Sequence, residues 1–215
     1  MSEVGLRSVA GVIMIMVALT AEWFGGTVFA LFVAAAATMM YYEWSRMVKG
    51  WGLGWNLAGF VYALLPALAL LWVRERGGDP VGARGFELVL WAFIVTWAAD
   101  IGAFFTGRAF GGRKLAPSIS PNKTISGFVG GVVAASLLAG IWAEISGLHW
   151  GWVLLAPLFA MAAAGGDLFE SWLKRKAGVK DAGALIPGHG GVLDRLDGLV
   201  PVAVLTGIAV VAGLA

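Results

Sequence analysis

The sequence predicts an all-α polytopic integral membrane protein with about seven transmembrane helices, an amino terminus in the cytoplasm and an active site at the cytoplasmic face. Three observations carry this prediction. Apolar residues make up 60% of the 215-residue chain and charged residues only 13%, against roughly 45–50% and 25% in soluble domains. The 15 basic and 13 acidic side chains are too few to coat a soluble domain of this length. The apolar residues also gather in stretches near the ~20 residues that cross ~30 Å of hydrocarbon at ~1.5 Å per residue. Such runs are far longer than the ~10-residue alternating segments of a membrane β-barrel strand.

The first stretch, Ser8–Glu22, lacks a small-x-small cleavage pattern and is followed by further apolar stretches, so it reads as a membrane helix rather than a removed signal. Gly25–Trp44 and Gly54–Val73 come next, then Phe86–Thr106, which carries Asp100 in its inner part. Gly127–Ile145 opens with Gly127, Gly130 and Gly131, small residues that let helices cross closely. Gly151–Phe169 ends on the run Gly165-Gly166-Asp167, and Leu199–Ala215 closes the set. The chain therefore reads as one membrane domain over residues 1–215. Within it lie amino-terminal helices (1–98), a catalytic region (99–198) and a last transmembrane helix (199–215). The catalytic region contains two long basic loops, 108–126 and 170–198.

With the amino terminus in the cytoplasm, twelve Lys and Arg fall on the cytoplasmic side, while Arg74, Arg76 and Arg84 alone fall opposite. That asymmetry sets the orientation by the positive-inside rule and places both basic loops, and the chemistry, at the inner surface.

Ionisable groups at membrane depth are costly and are functional by default. Asp100 is one. Asp167 and Glu170 are spaced i, i+3 and share a face if the helix continues, and Asp194 and Asp197 have the same spacing. Asp167, Asp194 and Asp197, gathered near basic residues, suit one or two Mg²⁺ ions, which prefer oxygen ligands and often bind through carboxylates and substrate phosphates. Cysteine is absent, so thiolate nucleophiles and thiolate metal sites are excluded. Glu43 is expected to pair with Arg46 or Lys49, and Glu22, Glu144 and His149 to be ordinary interface residues on the outer side.

The loops supply the complementary charge. Ser120-Pro121-Asn122-Lys123-Thr124 offers hydroxyls and an ammonium to phosphate, and the G-x-x-x-x-G-K-[ST] phosphate loop is missing. Gly107–Lys114, with Arg108, suits either phosphate or anionic lipid headgroups. Pro187-Gly188-His189-Gly190-Gly191 is a glycine-lined turn suited to close backbone approach to a ligand. Together these features point to a phosphorylated, lipidic substrate and to phosphoryl or nucleotidyl transfer aided by a divalent metal.

The stretch Ser171–Asp197, SWLKRKAGVKDAGALIPGHGGVLDRLD, resembles the signature of the phosphatidate cytidylyltransferase (CDP-diacylglycerol synthase) family. The family's fixed positions fall on Ser171, Lys174, Arg175, Lys180, Asp181, His189, Gly190, Gly191, Asp194, Arg195 and Asp197. Upstream, its Asp-x-Gly-Ala matches Asp100, Gly102 and Ala103, and its Gly-Arg matches Gly107 and Arg108. Its Ser-Pro-x-Lys-Thr matches Ser120, Pro121, Lys123 and Thr124, and its Gly-Asp matches Gly166 and Asp167. A usual tyrosine is replaced by Phe104, and a frequent glutamate by Ser126.

The resemblance implies transfer of a cytidylyl group from CTP to phosphatidate, with Mg²⁺ as cofactor, in the bacterial inner (plasma) membrane. It implies Asp167, Asp194 and Asp197 as the metal region, and Lys123 with Ser120 and Thr124 at phosphate. It implies Lys174, Arg175, Lys180 and Arg195 around the triphosphate or lipid phosphate, and His189 in binding or loop shape. The partners expected are CTP, phosphatidate and membrane lipids, with no nucleic acid. A homodimer is expected from family habit and glycine-lined helices. A transporter of an anionic solute is the alternative. It would place its charges near mid-membrane, often in paired repeats, whereas these acids cluster toward one face.

Overall fold

The computed structural model describes residues 3–76, 83–186 and 190–214, with the side chains of residues 3–9 and 83 left aside. Its helices are α1 (Glu3–Phe24), α2 (Gly26–Met47), α3 (Leu53–Glu75), α4 (Ala83–Phe110), α5 (Ile125–Ile145), α6 (Gly151–Lys176), α7 (Leu193–Leu196) and α8 (Leu199–Ala209). A π-type turn, Val210–Leu214, continues α8. Every expected apolar stretch is helical where it is described. Among the described residues five helices, α2 to α6, are long and apolar enough to cross a membrane, while Ala10–Phe24 and Leu199–Leu214 are shorter apolar helices.

The basic loop after α4 departs from the all-α expectation. Gly111 and Gly112, at φ +57° and +96°, end the helix in a conformation that other residues rarely adopt. The chain then pairs β1 (Lys114–Ala116) with β2 (Ser120–Thr124) in an antiparallel hairpin, Lys114 opposite Thr124 and Ala116 opposite Ser120. Backbone groups outside a helix still need partners, and the Ile125 N–H extends the pairing by donating to the Arg113 carbonyl at 2.9 Å. The hairpin therefore delivers Lys123 in a strand, where a basic loop was expected.

Small residues set the closest helix crossing, between α4 and α5. A Cβ on Gly131 would lie 2.5 Å from the Ala99 carbonyl oxygen, and one on Gly102 would lie 2.5 Å from the Ala134 Cβ. Gly127 and Gly130 face Ala103 and Thr106 in the same seam. The far half of the bundle packs around Trp91, Trp152 and Phe159, with the Trp91 ring 4.9 Å from Trp152 and 5.0 Å from Phe159. Trp152 also donates to the Leu214 carbonyl at 2.6 Å, tying the end of the chain to α6.

Glu144 is exposed, as expected of an interface residue, but Glu22 is not. Its side chain is 0% exposed and forms an ion pair with Arg74 of α3 at 2.9 Å. The Arg74 guanidinium also donates to the Glu22 carbonyl at 3.1 Å, and Gly25 leaves room for it beside the α1–α2 turn. Removing one member of a buried pair strands the other charge, so Arg74→Ala should cost about 3–5 kcal/mol of stability. Leucine at both positions should recover most of that loss, as read from thermal unfolding in detergent.

Candidate active site

One helical face organises the site. Asp167, Glu170 and Lys174 follow one another at i, i+3 and i+7 on α6, spacings that stack side chains on a single side. The helix runs to Lys176, past the expected end at Phe169, so residues read as loop are held by a rigid element. Asp167 forms an ion pair with Lys123 of the hairpin, and the Ser171 hydroxyl lies 3.5 Å from its other oxygen.

The Lys174 ammonium sits between two carboxylates, 2.6 Å from Glu170 and 2.6 Å from Asp194. Asp194 in turn gathers the loop before it, accepting the Ala182 N–H at 3.0 Å and the Gly191 N–H at 2.7 Å. Burial pushes the Asp194 carboxyl up, but hydrogen bonding with Glu170, Lys174 and the Gly191 N–H outweighs it and holds the group below the usual carboxylate range.

Gly166 brings the second acidic residue in. Its missing side chain lets α6 touch the Asp197 backbone carbonyl and the Pro201 ring, which sets Asp197 beside the Asp167 turn. Burial, then the negative charge of Asp167, push the Asp197 carboxyl well above its ordinary range, against an N–H bond from Gly198 at 2.8 Å. A Gly166→Ala change would have to move that backbone. A misplacement of ~1 Å can cost ~10²-fold, so about that loss in kcat is expected, measured beside wild type at matched detergent stability.

These side chains line a cavity of about 930 Å³ between α4, α5, α6, the hairpin and the 181–197 segment. Asp100, Arg108, Lys123, Thr124, Asp167, Lys174, Asp181, Asp194, Arg195 and Asp197 all line it, and Phe104, Phe128 and Val132 give it an apolar side. Thr124 caps α5, its hydroxyl accepting the Gly127 N–H at 3.0 Å. At Ser126, where the family pattern often has glutamate, the hydroxyl donates to the Gly111 carbonyl and supports the hairpin base.

The remaining described candidates lie around the cavity rather than on its wall. Ser120 is paired within the hairpin. Arg175 donates to the Ile119 carbonyl at 3.3 Å, tying α6 to the hairpin turn. Lys180 is exposed on the connecting segment. Gly190, at φ +84°, bridges back to Ile186. His189 lies outside the described residues. His149 stays in the α5–α6 connection, its ring beside Trp150 and its Nδ1 accepting the Gly151 N–H at 3.1 Å.

Two acidic residues were missed as parts of this assembly. Glu170 is the second counter-ion of Lys174, and its i, i+4 spacing to that lysine was legible once the helix is carried past Phe169. Glu43 is 1% exposed and accepts backbone N–H bonds from Val192 and Leu193. That replaces the expected pairing with Arg46 or Lys49. Arg46 donates instead to the Tyr42 hydroxyl at 3.2 Å.

A cavity that collects basic and acidic groups at one end of three apolar helices, with an apolar wall, can hold a polyanion beside a lipid chain. The sequence pattern of the cytidylyltransferase family matches residues 51–212. The phosphatidate cytidylyltransferases of Brucella suis and Brucella melitensis are each 38% identical to the chain over 256 aligned residues, covering 95% of it and 92% of their own length. That of Haemophilus influenzae is 48% identical over 123 residues, or 54% of this chain and 43% of the relative. The matched span encloses every residue of the cavity wall, and the chain belongs to the cytidylyltransferase family, alongside the phosphatidate cytidylyltransferases.

Proposed function

We propose that the protein transfers the cytidylyl group of CTP to phosphatidate, giving CDP-diacylglycerol and pyrophosphate for phospholipid synthesis in the bacterial inner (plasma) membrane. The observation that carries this reading is the single cavity in which Lys123, Arg108, Lys174 and Arg195 meet Asp167 and Asp197 against the apolar side of Phe104, Phe128 and Val132. Seven crossings with the amino terminus in the cytoplasm, supported by the Lys and Arg asymmetry, open that cavity to soluble CTP while the acyl chains stay in the bilayer.

In the reaction, a phosphatidate phosphate oxygen attacks the α-phosphorus of CTP. The new P–O bond forms as the bond to the β-phosphate bridging oxygen breaks, and pyrophosphate leaves with that electron pair. The attacking oxygen is already ionised, so no general base is needed. The barrier is the meeting of two anions. Lys123, Arg108 and Arg195 offset their charge and hold them in line, while Lys174 fixes the wall that carries Asp194 and Arg195.

The donor set fits Mg²⁺. Among the described residues no three acidic or histidine side chains form a ready-made metal cage, and Mg²⁺ characteristically binds through one or two carboxylates plus substrate phosphates. Burial, then the charge of Asp167, push Asp197 up, and a cation bound between the two would offset both. Asp167 and Asp197 are the residues that would hold the ion, with Asp100 on the same wall. Bound there, Mg²⁺ would offset phosphate charge and stabilise the leaving pyrophosphate. Asp194, occupied by Lys174 and two loop N–H groups, takes the role of fastening the loop. The homodimer rests on family resemblance alone, because the glycines of α4 and α5 are used inside the chain.

The test is pyrophosphate release by the detergent-solubilised protein, given phosphatidate with each nucleoside triphosphate in turn, with and without Mg²⁺. Release should need CTP, phosphatidate and Mg²⁺ together and should vanish in Asp194→Ala. Folded protein that releases none with any phosphatidate chain length would overturn the reading.

A further inference from the structure

Glu43 stands outside the catalytic cavity yet holds the loop that completes it. It lies near the end of α2, and its two oxygens accept the Val192 N–H at 3.0 Å and the Leu193 N–H at 2.8 Å. Those amides open α7, the turn that carries Asp194 and Arg195 and leads to Asp197. Gly183 and Gly191 pack directly on the same carboxylate, and a Cβ on Gly191 would lie 2.5 Å from it. One side chain thus grips both limbs of the loop.

The arm that presents it is fixed. Trp44, the next residue, donates to the Trp55 carbonyl at 2.8 Å and packs against Tyr62 and Phe169, with ring centroids 5.0 and 6.2 Å away. The end of α2 is therefore locked to α3 and α6. On its own side Glu43 faces a second cavity of about 480 Å³, lined by Tyr42, Arg46 and residues of the 179–185 segment. Asp181 lines both cavities, so the loop that Glu43 grips is the partition between them.

We propose that Glu43 is a positioning residue for cytidylyl transfer. Through the Gly183 and Gly191–Leu193 limbs it holds Asp194, Arg195 and Asp197 in the catalytic cavity, an inference that rests on the proposed reaction for its kinetic part only. A charged acceptor of two N–H bonds outweighs a neutral one, so the amide of glutamine, with one acceptor oxygen, should loosen the loop without changing its size.

Glu43→Gln in the full-length, detergent-solubilised protein tests this by amide hydrogen exchange and by kinetics. Exchange at Ala182, Gly191, Val192 and Leu193 should speed up by about tenfold or more, with the α4–α5 amides unchanged. The kcat should fall about 30-fold, within the range expected of a ~1 Å misplacement, while the KM for phosphatidate stays within about twofold. Unchanged exchange at these amides, or faster exchange with wild-type kcat, overturns the proposal. If Glu43→Gln does not fold, Gly183→Ala, which sets a methyl against the carboxylate, must reproduce both effects, and wild-type values in that variant overturn it equally. If the wild-type protein itself does not transfer a cytidylyl group, the functional reading fails, and exchange alone still decides whether Glu43 holds the loop.

Discussion

Asparagine at position 167 is expected to lower kcat/KM for CTP by about 10³-fold while leaving the protein folded. The change keeps the size of the side chain and its place on α6, and it removes only charge. Asp167 is the partner of Lys123 and the strongest acidic influence on Asp197. Losing it releases the hairpin lysine and takes one of two carboxylates from the proposed cation site. Loss of one preorganised electrostatic group in a catalytic site costs about 10²–10³, and impaired divalent-cation binding adds to that. Lys123→Met alone should cost about 10²-fold, and the double variant should be hardly worse than Asp167→Asn, because residues acting as one unit are not additive. Steady-state kinetics on the four proteins checks this. Fully additive losses would show that the pair acts as two independent groups.

The spans were legible because hydrocarbon thickness imposes length and apolarity on any helix that crosses it. The carboxyl-terminal end of α6 was not. Lys174, Arg175 and Lys176 looked like loop charge, yet cations at a helix C-terminus are favoured by its dipole. Lys176 is further stabilised against Trp51, Trp55 and Trp172, with its ammonium 5.0, 4.2 and 5.2 Å from their ring centres. The hairpin was hidden for a different reason: Ser-Pro-Asn-Lys-Thr has turn composition, and its pairing depends on the Gly111-Gly112 bend. Of the site, the residues of the family motifs were visible, and the structure brings twelve of them to one wall. Glu22 and Glu43 carried no local signal, because their partners lie 52 and up to 150 residues away.

Lys174→Met should damage stability and catalysis together, and pH separates the two. The lysine side chain is 13% exposed between carboxylates that are 1% and 8% exposed. Without it the two acids stand buried without their shared cation, Asp194 keeping only its loop N–H bonds and Glu170, a loss of about 3–5 kcal/mol. In the wild type Asp194 is held below its usual range. Its contribution is therefore present above the unfolded value and is lost only as pH falls through the lower folded value. In Lys174→Met Glu170 and the Gly191 N–H still oppose burial, but without the ammonium the Asp194 carboxyl rises from its wild-type position, so the folded protein takes up protons that the unfolded chain gives away. Stability then falls as pH rises, and the deficit against wild type should be larger at pH 8 than at pH 5. An equal deficit at both values would mean that lost packing, rather than stranded charge, is the cause. Adding Glu170→Gln removes one of the two buried acids, leaves an amide N–H that can donate to Asp194, and should restore part of the stability. Activity should stay low, because Asp194 still lacks the ammonium that joins the loop to α6, and with it the geometry that places Arg195 and Asp197 at the phosphates.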